Sequence, residues 1–149
     1  MTIGRTVFFA FATCVLALAA SPASADDAVS AYNIESVTQR PDFASEAEGV
    51  QFYFGDAAHP PVTRQIEQNV TTSLRTRKFG RSNEEACQWV MLSALVQLRN
   101  RAQSVGGDAV VNIRSNWRNV ETSSATQYQC SVGFLMAGVA LKGDIVSLR

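Results

Sequence analysis

The sequence predicts a small α+β domain of β-β-α-β-β order, with one long helix packed on a mostly antiparallel sheet and one disulfide stapling the two. Three observations predict it. A capped stretch with helical apolar spacing occupies residues 83–104. Runs of β-branched and aromatic residues lie on both sides of it. Two cysteines, Cys87 and Cys130, fall one on the helix and one on a strand, outside an N-terminal segment that reads as a secretory signal.

That signal comes first in the chain. Arg5 is a lone basic residue, residues 7–20 (VFFAFATCVLALAA) are apolar, and Ala23-Ser24-Ala25 has the A-x-A pattern of a cleavage site. The apolar run is shorter than the ~20 residues that a spanning helix needs. Residues 1–25 are therefore read as a cleaved signal peptide, with Cys14 in a poor lipobox because the apolar run continues past it. Residues 26–48 are rich in Ala, Ser, Asp and Glu, with a weak β-like patch from Tyr32 to Val37, and read as a flexible leader. Residues 49–149 form the expected single α+β domain.

Val50 to Phe54, bounded by Gly49 and Gly55, is the first expected strand. Asp56 to Pro61 is a turn, since two prolines fix φ and remove donors, and His59 there reads as a solvated loop residue. Ile66, Val70 and Leu74 suit either a helix or one face of a strand; Thr63, Thr71, Thr72 and Thr76 favour a strand over about 64–76. The strand runs into Arg75-Thr76-Arg77-Lys78-Phe79-Gly80-Arg81, the densest basic cluster. It reads either as a solvated turn or as a contact for an anionic lipid, a phosphate or an acidic partner.

Ser82-Asn83-Glu84-Glu85 is a capping box, and Gly106-Gly107 supplies the helix stop. Cys87, Val90, Met91, Ala94, Leu95, Leu98 and Ala102 form the stripe that faces a sheet. Trp89, Leu92 and Val96 form a second stripe, which must be covered by the leader, by a loop or by another subunit. Residues 108–115, centred on Val110 to Ile113, read as a strand, and the polar 116–127 as its connecting loop. The final strand is expected from Tyr128 through Phe134 and on through Met136, Val139 and Leu141, with Gly133 and Gly138 as bulge or kink points.

Composition narrows the function classes. The 149 residues carry 13 Lys+Arg against 13 Asp+Glu, so the chain is not a polybasic nucleic-acid binder. The single histidine excludes a multi-His metal site within one chain. Removing residues 1–25 from the 149 leaves 124, with one cation fewer and a net charge of −1. It also removes Cys14, so Cys87 and Cys130 are left in a chain bound for an oxidising compartment, where a pair is normally bridged. The other reading is two separately buried thiols. No phosphate-binding G-x-x-x-x-G-K-[ST], H-E-x-x-H, C-x-x-C or nucleophile elbow occurs.

Several stretches carry a resemblance. They are Phe52-Tyr53-Phe54-Gly55, Glu84 to Trp89, Arg101-Ala102, Gly107 to Ile113, Tyr128-Gln129-Cys130 and Met136 to Gly143. Together they resemble exported bacterial proteins often labelled "excinuclease ATPase subunit". More distantly, the helix and the strands after it are similar to the YbjQ-like family, described as heavy-metal-binding, and to the Rcs stress-sensor lipoprotein of the outer membrane. The resemblance spans about residues 49–143. The sensor likeness implies a helix-to-strand disulfide, for which Cys87 and Cys130 are suitably placed. This chain lacks the sensor's second disulfide and its lipid-modified cysteine. The YbjQ-like likeness implies a small α+β unit that often self-assembles. The ATPase label finds no phosphate loop here, and the metal label finds one histidine and a cysteine pair expected to be oxidised.

The reading that follows is a non-enzymatic periplasmic binding or envelope-interaction domain. Its expected partner-binding residues are Arg75, Arg77, Lys78, Arg81 and Trp89, facing an envelope protein or an anionic surface. No cofactor, nucleic acid or membrane span is expected, and a homo-oligomer is open. The alternative is a metal- or small-ligand-binding oligomer, or an enzyme, whose site lies between subunits, for instance around symmetry-related copies of His59. N-terminal sequencing of the exported protein is expected to begin at or next to Asp26, and a start elsewhere would remove the signal-peptide reading.

Overall fold

The computed structural model describes residues 27–149; the expected signal peptide, residues 1–25, lies outside them. The strand residues Met136–Ser147 (β7) organise the fold. This stretch is apolar and small, and Ala137, Gly138, Val139, Ala140, Leu141, Gly143, Ile145 and Val146 are all buried. Arg64–Arg77 (β3) pairs antiparallel with β7 along its whole length, from Arg64 opposite Ser147 to Arg77 opposite Met136. The other edge of β7 is shared. Gln127–Val132 (β6) pairs with it at Ala137 and Gly138, and Ala109–Trp117 (β4) pairs with it from Leu141 to Val146, both antiparallel. The sheet forks between β6 and β4, and there the buried Ser115 hydroxyl accepts the Gln129 N–H at 2.8 Å.

Two short strands pair with β4: Gln51–Phe54 (β2), the one parallel pairing among the described residues, and Val120–Thr122 (β5). β5 lies inside the stretch expected to be a plain loop. Arg118 and Asn119 take left-handed φ values of 52° and 63°, which suit the two-residue hairpin turn between β4 and β5.

The segment 26–48 is not a flexible leader over its described part. Ala28–Asn33 (β1) pairs antiparallel with β6 from Ala28 opposite Val132 to Asn33 opposite Gln127. Glu35–Thr38 (α1) and Phe43–Glu46 (α2) follow, with Val37 fully buried and Ile34 6% exposed. β1 is an edge strand with mostly exposed side chains, so its composition stays polar and a pattern search passes over it. Only Tyr32 turns in, with its ring 5.9 Å from that of Tyr128.

Asn83–Ser104 (α3) forms with both halves of the expected capping box. The Ser82 hydroxyl accepts the Glu85 N–H at 3.1 Å and the Glu85 carboxylate accepts the Ser82 N–H at 2.9 Å. Gly106, at φ 75°, ends the helix in the left-handed region. The expected core stripe, Cys87 to Ala102, is buried against Val139, Leu141 and Ile145 of β7 and Val110 and Ile113 of β4. The helix covers one face of the sheet. An ion pair fixes it to β3, the Arg101 guanidinium holding the Glu67 carboxyl below its ordinary value.

The second stripe of α3 is covered in part from within the chain, by the segment expected to be loose, while Trp89 stays 41% exposed. Leu92 is 4% exposed and Val96 half-buried. Arg99 donates to the Glu46 carbonyl at 2.5 Å and Gln103 to the Glu48 carbonyl at 3.0 Å, which hold α2 and its following turn against the helix.

The final strand also departs from expectation. It is two strands, β6 and β7, joined by a turn at 133–135 that the Gly133 N–H closes on the Met136 carbonyl at 2.9 Å. Tyr128 and Cys130 are buried in the core, but Phe134 leaves the strand and is 94% exposed.

Cys87 and Cys130 are bonded, with Cα atoms 5.9 Å apart, joining the first turns of α3 to β6 across 43 positions. Chain entropy values a loop of that length at about 4 kcal/mol. Replacing both cysteines by alanine is expected to lower the unfolding free energy by about 2–4 kcal/mol in denaturant titration. An unreduced, unfolded sample of the chain without residues 1–25 should show no reactive thiol.

Tyr128 generates a second expectation. Its hydroxyl is buried without a hydrogen-bond partner among the described residues; the Ser36 hydroxyl, which acts on it weakly, donates instead to the Asn33 carbonyl. Burial pushes the phenol above its ordinary value of 10.0, so the ionised form is penalised only in the folded state. Stability from this group is full below that value and is lost as pH rises above it. Tyr128→Phe should therefore move the onset of alkaline unfolding to higher pH. At neutral pH its stability should equal or exceed that of the parent, because the lost hydroxyl had no partner.

Candidate interaction surface

Since Arg77 lies opposite Met136 at one end of the β3–β7 pair, the connections leaving that end are neighbours. One is the β3–α3 loop, residues 78–82; the other is the β6–β7 turn, residues 133–135. Lys78 ties them together. Its backbone N–H donates to the Leu135 carbonyl and its ammonium to the Gly133 carbonyl, each at 2.9 Å. The loop is closed by the Arg81 N–H donating to the Lys78 carbonyl at 2.8 Å, and Gly80 takes φ 73° at the bend.

Fastened in this way, the two turns present apolar side chains to solvent. Phe79 is 99% exposed, Phe134 94% and Leu135 69%. With Arg77, Lys78, Arg81 and Met136 they line an open concavity of about 680 Å³, which no carboxylate among the described residues lines. The nearby acids are otherwise placed. Glu85 is held in the capping box, its carboxyl lowered first by the Ser82 N–H. Asp27 packs against Gly133, where an added Cβ would run into its carboxylate.

The expected partner-binding residues therefore divide. Arg77, Lys78 and Arg81 come together at the tip. Trp89 does not stand free: the Arg40 guanidinium lies 4.4 Å and that of Arg81 5.3 Å from its ring, and Arg40 is itself held by both Asp42 oxygens at 2.9 and 2.7 Å. Trp89 thus packs as a pillar behind the tip and also lines a separate groove of about 470 Å³ with Leu92, Val96 and Leu74. Arg75 lies over the Trp117 ring at 5.4 Å. Trp117 also lies against Gly138, on the sheet face away from α3, so Arg75 does not belong to the tip.

The residues missed by sequence reading are Phe79, Phe134 and Leu135. Phe79-Gly80 inside the basic cluster was the available signal, because connecting segments run over the surface and the cations beside Phe79 leave it no apolar run to join. Phe134 and Leu135 were hidden by the uniform apolar run on their C-terminal side.

Elsewhere, His59 lies exposed in the β2–β3 connection, 5.4 Å from the Tyr53 ring, with Nδ1 2.7 Å from the Pro60 carbonyl oxygen. No group of three or more His, Cys, Asp or Glu suited to a metal occurs among the described residues. No described helix is long and apolar enough to cross a membrane. Comparison with family models, with curated proteins and with solved structures finds no match.

Lys78→Met keeps the stem and removes the ammonium. It is expected to cost about 1 kcal/mol of stability, the net worth of one hydrogen bond. Faster amide hydrogen exchange should be confined to Lys78 N–H, Gly133 N–H and their neighbours; exchange unchanged at the turn would show that this link does not hold the tip.

Proposed function

We propose that the chain is a non-enzymatic domain of the bacterial envelope, exported to the periplasm, which uses the tip at 77–81 and 133–136 to dock on an anionic component of that envelope. One observation carries this reading: three strongly exposed apolar side chains share one concavity with three cations and no acid among the described residues. Exposed apolar groups clustered to this degree on a soluble domain mark an interaction site, and the cations set the sign of what they meet.

The compartment is supported by the Cys87–Cys130 bond, which is stable where thiols are oxidised, and by the signal pattern of residues 1–25. The likeness to exported proteins and to an envelope stress sensor supports the same assignment. The docking reading needs no catalytic group. The conspicuous polar side chains have structural work: Glu85 caps α3, Asp108 accepts the Leu148 N–H at 2.8 Å, and Glu121 bridges Arg114 and Lys142.

The test is fractionation. Exported protein should sediment with envelopes at low salt and be released as salt rises. With each cation worth about 1 kcal/mol at an anionic surface, the double variant Arg77→Gln, Arg81→Gln should lower the bound-to-free ratio roughly 30-fold. A distribution indifferent to salt and to the variant would overturn the proposal. A stoichiometric metal or small molecule seen by native mass spectrometry would favour the between-subunit site instead.

A further inference from the structure

We propose that the surface met by the tip is the phospholipid bilayer itself, with Phe79, Phe134 and Leu135 inserted beneath anionic headgroups and Arg77 and Arg81 held at the phosphates. This rests on the docking reading above and names its partner.

The arrangement of charge and apolar surface argues for lipid. Phe79 and Phe134 sit on two turns that project from one end of the sheet, and their exposures of 99% and 94% mean that neither leans on the body of the domain. Leu135 stands beside them at 69%. The cations are set back. Arg77 is the last residue of β3, and Arg81 leans toward the Trp89 ring on α3, 5.3 Å away. Apolar groups therefore lead and positive charge follows, the order in which a bilayer presents hydrocarbon and phosphate to an object entering from outside. Phe and Leu side chains suit the boundary between headgroups and acyl chains, and basic residues the phosphates above it. A hot spot for a protein partner is instead a desolvated pocket with walls, and an open concavity between two protruding rings is a poor one.

Insertion also needs a tip that keeps its shape, since ordering a floppy loop on arrival weakens binding. Lys78 supplies this. Its two bonds to the opposing turn fix the three apolar groups relative to one another, with its ammonium committed to the Gly133 carbonyl.

The experiment uses the full exported chain with its bridge intact. It is mixed with vesicles of phosphatidylglycerol and phosphatidylethanolamine, and with vesicles of phosphatidylcholine alone. Binding is expected to the anionic vesicles and to be at least tenfold weaker to the neutral ones. Phe79→Ser with Phe134→Ser should weaken anionic-vesicle binding at least tenfold without changing the thermal transition, as both rings are free of the core. In Phe79→Trp, emission relative to the parent should shift to the blue on vesicles and be quenched by lipids brominated in the acyl chains. Binding that is unchanged by the serine pair and a tryptophan that is not quenched would overturn insertion, while leaving charge-driven docking intact. No vesicle binding, together with a protein adduct from a photoreactive residue at position 134, would overturn the lipid assignment and leave docking on a protein. Failure to bind vesicles with no adduct would overturn the lipid assignment, and would overturn the docking reading as well when sedimentation with envelopes is also indifferent to salt.

Discussion

Three strands hydrogen-bond to β7, and nearly every other feature of the fold follows from the need to bury that strand on both faces. Its residues are small where neighbours come close. A Cβ at Gly138 would strike the Trp117 ring, and one at Gly143 would strike the Val110 side chain. Toward α3 it presents Ala137, Val139, Leu141 and Ile145, which meet the helix core. No described helix lies over the other face. It is closed by Trp117 and the stem of Arg75, and then by a polar clasp: Glu121 between Arg114 and Lys142, and Asp144 accepting from the Asn69 N–H at 2.8 Å and the Asn112 amide at 3.2 Å. Arg114 and Lys142 lower the Glu121 carboxyl, Lys142 having the larger effect.

The register of β3 on β7 also makes the interaction surface. Because the pairing runs out at Arg77 and Met136 together, the loops beyond are adjacent, and one lysine suffices to join them. The disulfide acts nearby in the chain, tying the start of α3 to β6 and so limiting how far the two elements flanking the tip can separate. Rigid support lies beneath a surface whose apolar groups are unsupported in solution.

Much of this was legible in residue pattern where burial is one-sided. The capping box and apolar stripe placed α3 correctly, and threonine-rich alternation separated β3 from a helix. Cysteine parity gave the bridge. Pattern failed where burial is absent or complete. β1 is exposed on both sides except at Tyr32 and is held by main-chain bonds to β6, a partner about a hundred positions away, so its sequence carries little apolar alternation. β7 is buried on both sides, and its unbroken apolar run concealed the turn at Gly133 and with it the exposure of Phe134 and Leu135. Trp89 was legible as important but not as packed, because the arginine over it, Arg40, belongs to the segment read as loose.

The place of β7 in the chain has a temporal consequence. The strand that β3, β4 and β6 all pair with follows each of them in the chain, and the pairing of Arg64 with Ser147 joins residues far apart in sequence. Until the β7 residues are made, the sheet has no centre: β3 lacks its partner, and the β1–β6 and β2–β4–β5 groups lack the strand that joins them. Contacts this distant in sequence form slowly, since chain closure precedes any gain from packing. A polypeptide with this topology therefore completes its sheet only once β7 has been made.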